Sequence, residues 1–169
     1  MKKWYLLIAS LAWIYNLQAQ SSTDRITYKV TGTGFSTTEL ELVSLTQSET
    51  RPVGNGTTSG SIGKPAFNSF NFTKPADINS KSFNQAIATN ALPKLPSIEF
   101  KIYAAGAATP YVSFQVKNVY VSKFKPSAAS GAGGYLEDIS ISFENWGFKD
   151  WVNNLSYGFS FITQTVSPY

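Results

Sequence analysis

A period-two alternation of apolar and polar residues constrains this chain most. Ile26-Thr27-Tyr28-Lys29-Val30, Ile98-Glu99-Phe100-Lys101-Ile102 and Ile139-Ser140-Ile141-Ser142-Phe143 each place an apolar side chain at every second position. Successive side chains of an extended backbone point to opposite faces, so each segment reads as a strand with one buried and one solvated face. Val112, Phe114 and Val116 repeat the pattern against Ser113, Gln115 and Lys117, and the phase then slips to Val119 and Val121. Phe70 and Phe72 share a face of a strand that Pro75 stops, and the tail from Leu155 to Val166 alternates through Tyr157, Phe159 and Phe161. In Glu39 to Leu45 the apolar phase switches between Leu42 and Val43, which predicts a bulge or bend. About seven strands separated by turns make the chain all-β, an antiparallel barrel or sandwich.

One helix interrupts the strands. Phe83, Ala86, Ile87 and Asn90 fall at helical spacing within Asp77 to Asn90, with Asn79 or Ser80 as N-cap, and Pro93 and Pro96 end any continuation. Two stretches rich in Gly, Ser and Thr or Ala, Gln47 to Lys64 and Ala128 to Gly134, read as loops. The first is long enough for a function of its own.

Composition excludes much chemistry. The chain has neither cysteine nor histidine. It therefore has no disulfide, no thiolate nucleophile, no cysteine or histidine zinc site, and no imidazole acid or base. Catalytic, cofactor and metal sites are accordingly not expected. A formal charge of +4 is low for a nucleic-acid binder, and Lys117, Lys123 and Lys125 do not change that.

The first residues read as a leader. Lys2 and Lys3 precede an apolar run from Trp4 to Tyr15, and small and polar residues follow to Ala19. That order is a secretory signal peptide, and the run falls short of the roughly 20 residues a membrane helix needs. Residues 1–19 are expected to be removed, leaving one domain over 20–169, exported to a periplasm or beyond, with no stable membrane anchor. Removing Lys2 and Lys3 takes fourteen basic residues to twelve against ten acidic ones, a net charge of +2.

Several motifs, in order, resemble one family. Leu42-Val43-Ser44-Leu45 precedes the Gly/Ser-rich loop. Phe70-Asn71-Phe72-Thr73-Lys74-Pro75-Ala76-Asp77 alternates aromatics and then runs into Thr-Lys and an Asp. Asn79-Ser80-Lys81-Ser82-Phe83 opens the helix. Ile98 to Tyr103, Val116-Lys117-Asn118-Val119-Tyr120-Val121-Ser122 and Glu137-Asp138-Ile139-Ser140-Ile141-Ser142-Phe143-Glu144 complete the series. From about Leu40 to Trp151 this is similar to the haemolysin-coregulated protein (Hcp) family, the tube subunit of type VI secretion systems. The resemblance implies a β-barrel of two sheets with one short α-helix outside, a homo-hexameric ring, and rings stacked into a tube that meets other secretion components or effectors. It also implies that the loop carrying Gln47, Arg51, Asn55 and Lys64 grips the next ring. Tube subunits of that family carry no leader, and their tail after the position of Trp151 is shorter. The fold therefore follows from the resemblance more directly than the cellular role.

The remaining candidates have two readings each. Trp146, Phe148 and Trp151 lie near a strand end, where they either pack a rim or subunit interface or form the partner-binding surface of a monomeric secreted module for glycan or protein. Glu137 and Asp138 are adjacent, so a strand points them to opposite faces and they do not make a facing catalytic pair. They read as solvated strand ends, with Glu99 and Glu144 as the other carboxylates a hydrolase could use.

Overall fold

The computed structural model describes residues 24–50, 66–88, 94–128, 134–163 and 165–167. Residues 1–19, with the proposed cleavage point, lie outside them, as do Arg51, Asn55 and Lys64. Nine antiparallel strands and one helix account for most of the described chain: β1 (Arg25–Thr31), β2 (Leu40–Leu42), β3 (Ser44–Thr50), β4 (Ala66–Pro75), α1 (Ser80–Ala88), β5 (Leu95–Tyr103), β6 (Val112–Ala128), β7 (Tyr135–Asp150), β8 (Leu155–Ser160) and β9 (Thr165–Ser167). Gln47, expected to open the loop, is still in strand: β3 continues to Thr50, paired with β4 through a register shift between Gln47 and Glu49.

The hydrogen-bonded order is β2-β1-β5-β6-β7-β4-β3, with β8 paired to β7 and β9 to β8. The first and last strands of that path are two halves of one run, separated by Val43 alone, whose N–H donates to the Thr73 carbonyl at 2.8 Å. The sheet thereby closes on itself as an antiparallel β-barrel, its two sheets joined into one continuous ladder. The phase switch at Leu42 and Val43 is the corner where the chain leaves β1 and turns onto β4. The second phase slip is also a backbone event: Asn118 takes φ 54° between buried Val116 and buried Val119. A left-handed residue turns the strand so that two apolar side chains three apart both face inward.

Inside the barrel the predicted rows meet. Register places Tyr28 opposite Phe100, Phe100 opposite Phe114, and Phe72 opposite Ile139. The rings interlock, Phe70 stacking on Phe100 at 5.3 Å and Phe72 meeting Phe100 edge-on at 5.4 Å. Phe114 and Phe143 are half-buried at the margin of this core. The helix begins at Ser80, and Asn90, the last residue of its expected face, lies outside the described residues. The helix inserts Phe83 against Phe72 and Phe35, while Ile87, expected on the buried face, is exposed. Asn79 is the N-cap, its carbonyl accepting the Phe83 N–H at 3.0 Å.

Candidate functional site

Two places are candidates: a charged cluster under the helix N-terminus, and the aromatic end of β7.

On β4 the inward row Phe70, Phe72 continues in phase to Lys74. On β7 the inward row Ile141, Ile139 continues to Glu137, directly opposite Lys74. Both charged side chains are buried, Lys74 at 0% and Glu137 at 1% exposure. Glu137 is therefore not the solvated strand end that its charge suggested; register carries it inside. Its neighbour Asp138 does face away from the interior and accepts from Thr73 Oγ1 at 2.8 Å. Nothing but the phase of the alternation marks Lys74 and Glu137 as inward, and that signal is legible in the sequence.

The Lys74 ammonium lies 2.7 Å from Glu137 Oε2 and 2.8 Å from Asp77 Oδ1. It also donates to Ser80 Oγ at 3.0 Å and to the Pro75 carbonyl at 3.1 Å. Ser80 Oγ donates in turn to Glu137 Oε2, and the Tyr28 hydroxyl donates to Asp77 Oδ2 at 2.6 Å. Burial, then the hydrogen bond to Asp77, push the Tyr28 phenol far above its ordinary range, so it stays a neutral donor. Asn79 closes the group by accepting the Ser36 N–H at 2.7 Å. The cluster thus ties β4, β7, β1, the β1–β2 loop and the start of α1 at one point. Each carboxylate is held by the shared ammonium and by neighbouring donors. That arrangement fixes geometry, with each charge paired inside the cluster.

The other carboxylates lie in separate places. Glu39 accepts from Thr27, Tyr103 and Lys101. Burial alone would raise it, but those donors outweigh burial and hold the carboxyl below its usual value. Glu99 lies 3.5 Å from Lys101. Glu144 is held by Lys94, by Asn118 and by Tyr120. Among the described residues no three acidic side chains gather into a metal-sized cage.

The three aromatics of the β7 end do not share one surface. β7 runs unbroken through Trp146 and Phe148. Trp146 is buried among Phe114, Phe148 and Tyr157, and Phe148 is half-buried beside it. Only Trp151 faces outward, fixed by Nε1 donating to Ser113 Oγ at 3.0 Å and by Lys149 Nζ 3.5 Å above its ring. A ligand could reach Trp151 but not Trp146. Gln47 sits half-buried in β3 opposite Phe70. Lys117, Lys123 and Lys125 are exposed along β6.

Among curated proteins none matches the sequence. Solved structures do match the fold. Hcp1 from Salmonella typhimurium has a TM-score of 0.70 at 17% identity, over 85% of this chain and 99% of that one. A type six secretion system protein gives 0.72 at 16% identity, over 86% and 100%. The secreted protein Hcp3 from Pseudomonas aeruginosa gives 0.61 at 14% identity, over 82% and 98%. Residues 33–149 match the family described as "Type VI secretion system effector, Hcp", a stretch running from the β1–β2 loop to the end of β7. By that match, with the motifs between Leu40 and Trp151 now placed on one closed barrel, the chain belongs to the Hcp family.

Proposed function

We propose that this protein is a non-enzymatic structural subunit that closes into hexameric rings, and that the rings stack into a tube. The supporting observation is the closed barrel itself, which extends over almost the whole length of the solved Hcp chains. The buried charges support it further, since Lys74, Glu137 and Asp77 are consumed in holding strands and helix together. A ring needs a rigid protomer with two different faces that meet head to tail, and a closed barrel with β8 and β9 added along one edge of β7 supplies them. The loop bearing Arg51, Asn55 and Lys64, which leaves β3 beyond Gln47, is proposed to contact the next ring. Residues 1–19 are proposed to direct export and to be removed.

Native mass measurement of the exported protein tests both parts. The expected result is a hexamer whose protomer mass begins near residue 20. A strictly monomeric protein at high micromolar concentration would refute the ring, and a protomer retaining Met1 would refute the leader. A monomeric module binding through Trp146, Phe148 and Trp151 fits less well, because Trp146 is enclosed.

A further inference from the structure

The inward apolar row of the barrel does not stop where the barrel stops. Along β7, residues 136–141 pair with β4, whereas residues 145–150 pair with β8. On that edge β7 therefore exchanges β4 for β8 while its other edge stays paired with β6, and β8 and β9 extend the sheet as an arm past the point where β4 ends. Register fixes which face of the arm continues the interior. Val116 lies opposite Trp146, Trp146 opposite Phe159, and Phe159 opposite Val166; Phe148 lies opposite Tyr157. Paired residues share a face, so Tyr157, Leu155 and Val166 belong to the same side as the core. Exposure climbs along that side from 4% at Trp146 to 47% at Tyr157, 63% at Leu155 and 73% at Val166. The apolar face persists while the layer that should cover it runs out.

Resting on the ring reading, we infer that the inner face of the β7–β8–β9 arm, centred on Leu155, Tyr157 and Val166, is covered by a second copy of this chain. Three observations favour a copy over other occupants. β8 and β9 carry no charged residue, and on the β7 part of the arm the inner face bears Asp150, opposite Leu155, while Lys149 lies on the other face, so the inner face offers no cation to an anionic partner such as nucleic acid. Depletion of charge with enrichment in aromatics marks the centre of permanent interfaces, and permanent self-interfaces are the most apolar. The face is also a flat extension of a sheet, which another sheet covers at about 10 Å, and the barrel wall of a neighbour is such a sheet. An arm on one side meeting a wall on the other is a heterologous contact, the kind that repeats around a ring.

The test compares wild type with Leu155→Asp and Val166→Asp by native mass and sedimentation, with near-ultraviolet circular dichroism to confirm the aromatic core. Both side chains are exposed in the protomer, so the fold should survive either change. Should one variant fail to fold, the other carries the test. Ile78→Asp, equally exposed on the turn before α1, is the control. Expected is a hexameric wild type and control, with both arm variants dissociating at protein concentrations about 30-fold or more above the wild-type midpoint. A wild-type hexamer that the arm variants leave intact would overturn this assignment and spare the ring. Dissociation by Ile78→Asp alone would overturn it too. A monomeric wild type would overturn both, and arm-dependent sedimentation of that monomer with phosphatidylglycerol vesicles would give the face to lipid instead.

Discussion

Replacing Lys74 by methionine would remove the one cation from a buried cluster and leave Glu137 and Asp77 facing each other. The consequence follows from the contacts. Lys74 makes four close polar contacts, at 2.7 to 3.1 Å, to Glu137, Asp77, Ser80 and Pro75, and it is the one cation paired with Glu137 and Asp77 among the described residues. Breaking a buried pair by deleting one partner typically costs about 3–5 kcal/mol, because the survivor keeps its desolvation penalty. Glu137→Gln is gentler. It leaves the Lys74–Asp77 pair at 2.8 Å, and the amide oxygen can still accept from Lys74 and Ser80, so about 1–2 kcal/mol is expected. The double variant should be more stable than Lys74→Met alone, since it relieves one uncompensated carboxylate; that sign of coupling is the specific signature. Urea denaturation at one fixed protein concentration measures all three, because assembly also adds to stability. The reasoning fails if Lys74→Met unfolds within 1 kcal/mol of wild type, or if Glu137→Gln proves the worse single change.

Other predictions are briefer. Phe72→Ala should cost about 3–5 kcal/mol by the same assay, whereas Ser140→Ala, outside the core, should stay within about 0.5 kcal/mol. Equal losses would contradict the two-faced strand. The buried Tyr28 phenol titrates well above its ordinary 10.0 in the fold, so its contribution is intact below pH 10. Above that the unfolded chain loses the proton and the folded chain does not, and stability falls by up to about 1.4 kcal/mol per pH unit; Tyr28→Phe should flatten this alkaline slope in urea titrations. Asn118→Val should lose about 1–3 kcal/mol because a β-branched residue resists φ 54°, and a thermal scan showing no loss would argue against strain at the turn.

Most strand segments were legible from alternation, though not their order in the sheet, and so were two irregularities within them. The switch between Leu42 and Val43 marked the corner that closes the barrel, and the slip after Val116 marked Asn118. The charged cluster was marked by the phase of the alternation alone, and charge argued against that phase for a physical reason. Hydropathy assigns Lys and Glu to the outside, and residues as distant in sequence as Lys74 and Glu137 neutralise each other only once β4 and β7 are paired. The buried face of the helix was misjudged similarly: Ile87 has the right spacing, but Ser80–Ala88 buries Phe83 and leaves Ile87 exposed.

Sequence alone determined which side chains share a face, because backbone geometry makes that a local property of extended chain. It also determined that histidine and thiol chemistry is absent. Tertiary structure alone decided what stands opposite each face. It set Glu137 against Lys74, enclosed Trp146 and left Leu155 bare, since whether a face is covered depends on distant strands and, on the arm, on another molecule.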